Sequence, residues 1–385
     1  MLSLLLAIIY IAFISLGLPD SLLGSAWPTL HAELGVPLSF AGVITMIISG
    51  GTIVSSLLSD KLTRKFGTGV VTAASVLLTA VALFGFSISS EVWMLCLWAI
   101  PYGLGAGAID AALNNYVAIH YAARHMSWLH CMWGVGTTIS PYIMSAALSG
   151  GHGWQSGYRA VSVIQFVLTA FLFFSLPLWK KQQTAETSDA KEKPRAKNVL
   201  AIRGVVAVLI CFFGYCALES TAGLWASNYL VLARGIDETT AARFASLFYI
   251  GITLGRFLCG FVADRFGDRT LIRVGLAVIL VGILCVGLPL GSSALALAGL
   301  IVIGLGCAPI YPSIIHSTPH NFGEENSQAI VGIQMASAYV GSTFMPPLFG
   351  ALTEVLPIGI YPLYLAVFAI LMIAMSERLN RFVTV

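Results

Sequence analysis

The chain has 385 residues, 58% hydrophobic and 10% charged, with a net charge of +3 and a mean hydropathy of +0.89. A soluble domain carries about 25% charged residues, so the composition excludes one and leaves a surface covered by lipid. The length allows about a dozen spans of ~20 residues with short loops, and no sizeable soluble domain.

The N-terminal run lacks a basic n-region, and its apolar sequence continues past Asp20 with no clear small-residue cleavage site. It is expected to be a retained first membrane helix. Apolar runs bounded by polar residues, Gly or Pro predict twelve helices, near 3–29, 36–59, 68–88, 92–118, 126–149, 157–179, 200–226, 241–263, 271–289, 293–314, 327–350 and 358–376. The fold class is therefore an all-α membrane protein. The hydrophilic stretch 180–199, KKQQTAETSDAKEKPRAKNV, reads as a flexible linker between six-helix bundles at 1–179 and 200–385.

Basic residues orient the spans. Lys61, Arg64, Lys65, Arg124, Arg265, Arg269, Arg273, Arg378, Arg381 and the central loop fall on one side, against Arg159, Arg234 and Arg243 on the other. Positive charge prefers the cytoplasm, so both termini are expected there. The seven cysteines, Cys96, Cys131, Cys211, Cys216, Cys259, Cys285 and Cys307, form no C-x-x-C pair. They read as apolar packing residues, with no disulfide framework and no metal site.

The two halves repeat. FISLGLPDSLLG at 13–24 aligns with FFGYCALESTAG at 212–223, which places Asp20 on Glu219. SLLSDKLTRKFG at 56–67 aligns with GFVADRFGDRTL at 260–271, which places Asp60 on Asp264. The offset then grows from 199 to 204, as a five-residue loop insertion would give. Repeats of this kind are expected to hold substrate at the interface of the halves, near the bilayer midplane.

The run Gly260 to Arg269, GFVADRFGDR, resembles the loop between helices eight and nine that marks the major facilitator superfamily. The loop between helices two and three keeps Asp60, Arg64 and Lys65, with Ser56 in place of the usual Gly. The resemblance covers essentially the whole chain and implies two pseudo-symmetric six-helix bundles. Within the superfamily the chain is most similar to the fucose:proton symporter branch. The residues carrying that likeness are Asp20, Asp110, Gly255-Arg256-Phe257 and Ala308-Pro309-Ile310-Tyr311-Pro312. One departure is in helix five, where Trp128-Leu129-His130 and Trp133 stand where the fucose symporter would have an amide. The resemblance implies sugar uptake coupled to protons, some relatives using sodium. It also implies that Asp60, Arg64, Asp264 and Arg265 latch helices during gating.

Asp20, Asp110 and Glu219 are lone carboxylates within predicted spans. A charged residue at the bilayer centre costs roughly 2.5–3.5 kcal/mol on insertion scales, so such groups face a protein interior or a water-filled cavity. They are the candidate proton-coupling residues. Asp20, Gly24 and Trp27 follow at i, i+4 and i+7, offering a carboxylate, a gap and an aromatic wall. Asp110 and Asn114 share a helical face, and Gly103, Gly105 and Gly107 before them allow close helix approach. His130 and Trp133 share a face of helix five, where a histidine can shuttle protons or bond a ligand. Trp225, six residues after Glu219, lies off its face unless helix seven unwinds.

Tyr249, Thr253 and Arg256 follow at i, i+4 and i+7 on helix eight. Arg256 either snorkels to the cytoplasmic face or pairs across the bundle. Gln334 shares its face with Ser337, Ala338 and Gly341, a pattern that suits sugar hydroxyls or tight packing. The candidate substrate contacts are therefore Trp27, Asn114, His130, Trp133, Trp225, Tyr249, Tyr311 and Gln334. For each, the competing reading is a structural bond or packing contact between helices. The other histidines, His31, His120, His125, His152, His316 and His320, read as solvated.

No Gly-rich phosphate loop or nucleophile–base pair is visible, so neither ATP drive nor enzymatic chemistry is expected. The expected function is a carrier for a sugar or similar polar solute, with H+ as coupling ion, no cofactor and no nucleic-acid partner. It would act as a monomer in the cell inner membrane. Proton-driven efflux of lipophilic or cationic compounds is the alternative, and a lipid translocase or membrane sensor is a third class without a polybasic cluster to support it. A cysteine placed in 180–199 should resist labelling from outside intact cells; ready labelling there would overturn the topology.

Overall fold

In a computed structural model of the chain, the described residues are 2–37, 39–187, 196–288 and 293–383. Every regular element among them is a helix. That is what the bilayer demands of a spanning chain, because only a helix or a closed barrel satisfies all its own backbone groups in lipid. The first half holds α1 (Leu2–Gly17), α2 (Leu22–Glu33), α3 (Phe40–Phe66), α4 (Thr68–Ser87), α5 (Val92–His120), α6 (Ala123–Ser149) and α7 (Gly153–Thr187). The second holds α8 (Val205–Arg234), α9 (Glu238–Phe266), α10 (Asp268–Gly287), α11 (Ser293–Cys307), α12 (Ile310–Phe322), α13 (Glu324–Thr353) and α14 (Tyr361–Val383). α1 with α2 forms one rod, Leu4–Glu33, and α11 with α12 another, Ala294–Phe322. The chain is thus twelve rods in two six-helix bundles.

Ten rods are long and apolar enough to cross a membrane. The other two, α6 and α13, are the fifth rod of each half. Their polar residues, including His130, Thr137 and Thr138 on α6 and Gln334 and Ser337 on α13, dilute the apolar sequence. The repeat has therefore put polar cargo on the same helix twice.

Two rods are interrupted. Between α1 and α2 the chain makes tight turns, with the Asp20 N–H bonded to Gly17 O at 3.3 Å and the Leu22 N–H to Pro19 O at 3.1 Å. Pro19 has no N–H to continue the ladder. Helix one is therefore not continuous through 3–29 as expected, and Asp20 sits in the break. The second interruption, at Ala308 and Pro309, separates α11 from α12.

The repeat also needs a correction. Gly67 and Gly267 close α3 and α9 in the same backbone state, φ 82° and ψ 152° against φ 74° and ψ 157°. Each is followed by a helix of 20 residues. The halves thus register at an offset of 200 here (267 − 67), next to the 199 that relates Asp20 to Glu219. No five-residue insertion exists, and Asp264 falls opposite Arg64 and not Asp60. The first half instead runs one more helical turn between its aspartate and its glycine.

Contacts divide the chain into two units, Met1–Tyr116 with Leu129–Arg195, and Ala196–Val385 with Val117–Trp128. The tip of the α5–α6 hairpin thus groups with the second unit. α7 stays helical to Thr187, into the stretch read as linker; residues 188–195 lie outside the described residues.

In the first unit α7 packs on α4, α1 and α2 around Trp27, Phe86, Trp154 and Tyr158. Buried Gln165 fastens three helices, accepting from Thr79 Oγ1 at 2.6 Å and donating to Ser15 O at 2.8 Å. Bonds of this kind and close packing, more than hydrophobic drive, hold helices together in lipid. In the second unit α8 packs against α13 and α14, and α11 against α9 and α10. Tyr229 stacks on Tyr361 with ring centroids 4.9 Å apart.

One crossing positions the site. A Cβ on Gly136 of α6 would lie 2.1 Å from Ile14 O of α1, and a Cβ on Gly17 would lie 2.2 Å from Trp133 O. Only glycines let these backbones touch, and the touch sets Trp133 beside the break. Gly136→Ala should destabilise the protein by ~1–3 kcal/mol, the usual range for overpacking, read as a lowered Tm. A variant as stable as wild type would show that the crossing tolerates a methyl group.

Candidate functional site

Asp20 lies where α1 ends and α2 has not begun. Its Oδ1 accepts from Tyr102 Oη at 2.9 Å, and its Oδ2 accepts from Trp133 Nε1 at 2.8 Å. Tyr102 comes from α5 and Trp133 from α6, so three rods converge on one carboxylate. Asp20 is nonetheless exposed, as is Gly24, where a Cβ would meet nothing within 4 Å. A carboxylate offers about four lone-pair sites, and these two donors occupy one on each oxygen. The open side is available to a proton or to a solute hydroxyl.

A second polar group, wholly buried, lies further along α5 and α6. Asn114 Nδ2 donates to Asp110 Oδ1 at 2.8 Å and to Asp110 O at 3.0 Å. Its Oδ1 therefore points the other way, 2.9 Å from His130 Nε2. An amide oxygen only accepts, so Nε2 carries the hydrogen. The Phe13 ring meets the imidazole edge-on, centroids 5.5 Å apart. The amide thus links a carboxylate to an oriented imidazole.

The second unit holds its own cluster. Glu219 Oε1 is 3.7 Å from Arg256 Nη2, and the same nitrogen donates to Tyr215 Oη at 3.3 Å. Arg256 lies over the Tyr311 ring at 5.9 Å, and Tyr311 packs on Phe212 and Tyr215. Arg256 is only 3% exposed, so it does not snorkel. It is the ion pair of the two readings. The Tyr249 side chain lies against Gly223, one turn beyond Glu219, and is 51% exposed.

The remaining candidates lie elsewhere. Trp27 belongs to the apolar core and stacks near His31 at 6.2 Å. α8 does not unwind, and Trp225 donates to Pro346 O at 3.0 Å against Phe349. Tyr311 donates to Met335 Sδ at 3.1 Å. Gln334 is fully buried, its amide facing Thr318 Oγ1 at 3.1 Å.

Among the gating residues, Asp60 pairs with Arg64 at 3.6 Å one turn along the same helix. Asp264 pairs with Arg124, side chain to side chain at 3.2 Å and through the Arg124 N–H at 3.1 Å. Arg265 lies over Phe266. His316, expected to be solvated, is half-buried and bonded to Asp268 at 2.7 Å.

Sequence reasoning missed Tyr102 and Tyr215. Tyr215 sits four residues before Glu219, on the same helical face, so its spacing could have found it. Tyr102 reaches Asp20 from another rod, and no spacing along the chain signals that. Among the described residues no group of three or more His, Cys, Asp or Glu could hold a metal ion.

Residues 9–232 and 207–379 match the family model described as Major Facilitator Superfamily. Bypass of stop codon protein 6 of Saccharomyces cerevisiae is 23% identical over 285 residues, which cover 67% of this chain but only 57% of that protein. The glucose/mannose transporter GlcP of Bacillus subtilis is 21% identical over 384 residues, 97% of this chain and 94% of its own. The E. coli fucose:proton symporter FucP has the same fold, with a TM-score of 0.76, 15% identity and coverage of 97% of this chain and 98% of its own. Further relatives are named for carriers of sugars and of carboxylic acids.

Removing one partner of a buried ion pair costs about 3–5 kcal/mol. Arg256→Gln should therefore lower the Tm sharply, and Glu219→Gln added to it should restore part of the loss. A double variant showing the plain sum of two losses would mean that the two charges are not coupled.

Proposed function

We propose that this chain, which belongs to the Major Facilitator Superfamily, is a secondary active transporter moving a sugar or sugar-like polar solute by proton-coupled alternating access. The observation that carries the reading is Asp20, a solvent-accessible carboxylate at an interrupted membrane helix, gripped by one tyrosine and one tryptophan. Sugars present apolar faces and hydroxyls, and an indole beside a carboxylate suits both. Discontinuous helices are where transporters place solute and ion sites. GlcP and FucP are carriers named for sugars, which supports the solute class.

The protein is a multi-pass membrane protein, and we place both termini in the cytoplasm. In the proposed cycle Asp20 takes a proton on its open side while Tyr102 and Trp133 hold the carboxyl in place. Solute hydroxyls then bind a neutral site, and loss of the proton on the other side of the membrane releases both. Asp110 and His130, oriented by Asn114, form a second station where a proton can be held away from bulk water. Glu219 and Arg256 give the second half a matched pair whose partners can be exchanged for solute. H+ is the coupling ion of this reading.

A second reading rests on Arg256. A buried guanidinium held among Tyr215 and Tyr311, and only loosely paired with Glu219 at 3.7 Å, suits a carboxylate-bearing solute. Thermal shift of the purified protein against sugars, small carboxylic acids and lipophilic cations separates these readings from each other and from efflux of cations.

Asp20→Asn should abolish uphill accumulation in proteoliposomes and flatten its pH dependence, while solute exchange persists. Continued uphill accumulation by this variant would remove Asp20 from proton coupling.

A further inference from the structure

We infer that the second unit carries a binding site for one anionic phospholipid, at the ends of α8 and α14. The two helices pack together, and the cavity between their ends measures about 240 Å³. Its walls include Ile202, Val206, Met375 and Phe382, and its rim carries Arg203 and Arg378. An occupant must therefore be apolar in its body and negatively charged at its head. At ~30 Å³ for each water-sized group, the space takes a phosphate head and the first few groups of its chains.

The charge is left open by the surrounding pairs. Glu377 adjoins Arg378 in sequence, yet it accepts two bonds from Arg273, at 2.6 and 2.7 Å. Among the described residues neither Arg203 nor Arg378 has an acidic partner. Arg378 lies over the Phe382 ring at 5.9 Å, which orients its planar donors. Guanidinium forks match phosphate oxygens in pairs.

Location selects the source of the phosphate. The cavity adjoins Val205 and Val383, where two membrane spans end, so it lies at headgroup level. The Lys/Arg bias assigns this end to the cytoplasm, whose leaflet is rich in anionic lipid. Arg203 and Arg378 are 175 residues apart (378 − 203), so no basic cluster appears along the chain. The site is independent of which solute is carried.

The test is native mass spectrometry of the full chain in detergent, with phosphatidylglycerol, phosphatidylcholine or inorganic phosphate added. One phosphatidylglycerol should be retained per chain, at concentrations where phosphatidylcholine is not. The Arg203→Gln/Arg378→Gln variant should bind phosphatidylglycerol about tenfold more weakly or worse, a change of ~1.4 kcal/mol. Arg203→Lys/Arg378→Lys should fall between. Equal retention of the two lipids by wild type, unchanged retention by the Gln variant, or displacement of the lipid by millimolar inorganic phosphate would each overturn the proposal. Should the Gln variant fail to fold, the comparison of lipids on the unaltered chain decides alone.

Discussion

An ionised carboxylate inside a bilayer must be hydrated, paired or hydrogen-bonded, and Asp20 meets that demand by drawing three rods to one point. The break at Pro19 exposes it, Tyr102 of α5 and Trp133 of α6 each give it one donor, and the glycine crossing of α1 with α6 sets the distance. Irregular backbone at membrane depth is tolerated only where it is buried or lines water. Unwound turn and carboxylate therefore explain each other.

The two halves answer the same problem differently. In the first, the acid is accessible and its donors are the neutral Tyr102 and Trp133. In the second, α8 runs unbroken through Glu219 and the acid faces a buried arginine. A neutral donor leaves a carboxylate free to take up a proton; a guanidinium opposes it. The same repeat position thus holds an acid between two neutral donors and an acid beside a guanidinium.

Much of this was legible in the residues. Runs of about twenty apolar residues gave the rods, and the three acids stood out as the lone carboxylates within them. Asp110 with Asn114, and His130 with Trp133, were read correctly as helical neighbours because a helix fixes which residues share a face. What a helix does not fix is rotation toward other rods. Trp27 turned into the core and Tyr102 took the place beside Asp20. Gln334 met Thr318 of α12, a partner sixteen residues back across a turn. The pairing of Asp60 with Asp264 failed for another reason: similar letters in two loops outweighed the glycines, whose shared backbone geometry marks the true register.

That register has a consequence for how the duplicated halves could diverge. The first half carries four more residues between its loop aspartate and its terminal glycine than the second does. Four residues advance a helix by ~6 Å and rotate it by about 400°, which brings a side chain back to within about 40° of its former direction. Asp60 is turned inward, with its side chain 14% exposed, and stands one turn further from the terminal glycine than Asp264 does in the second half. A displacement of the acid by a single position would have swung it by about 100°. The helices of the two halves kept their register while the acid came to occupy places one full turn apart, a screw step along the same helix that changes depth more than facing.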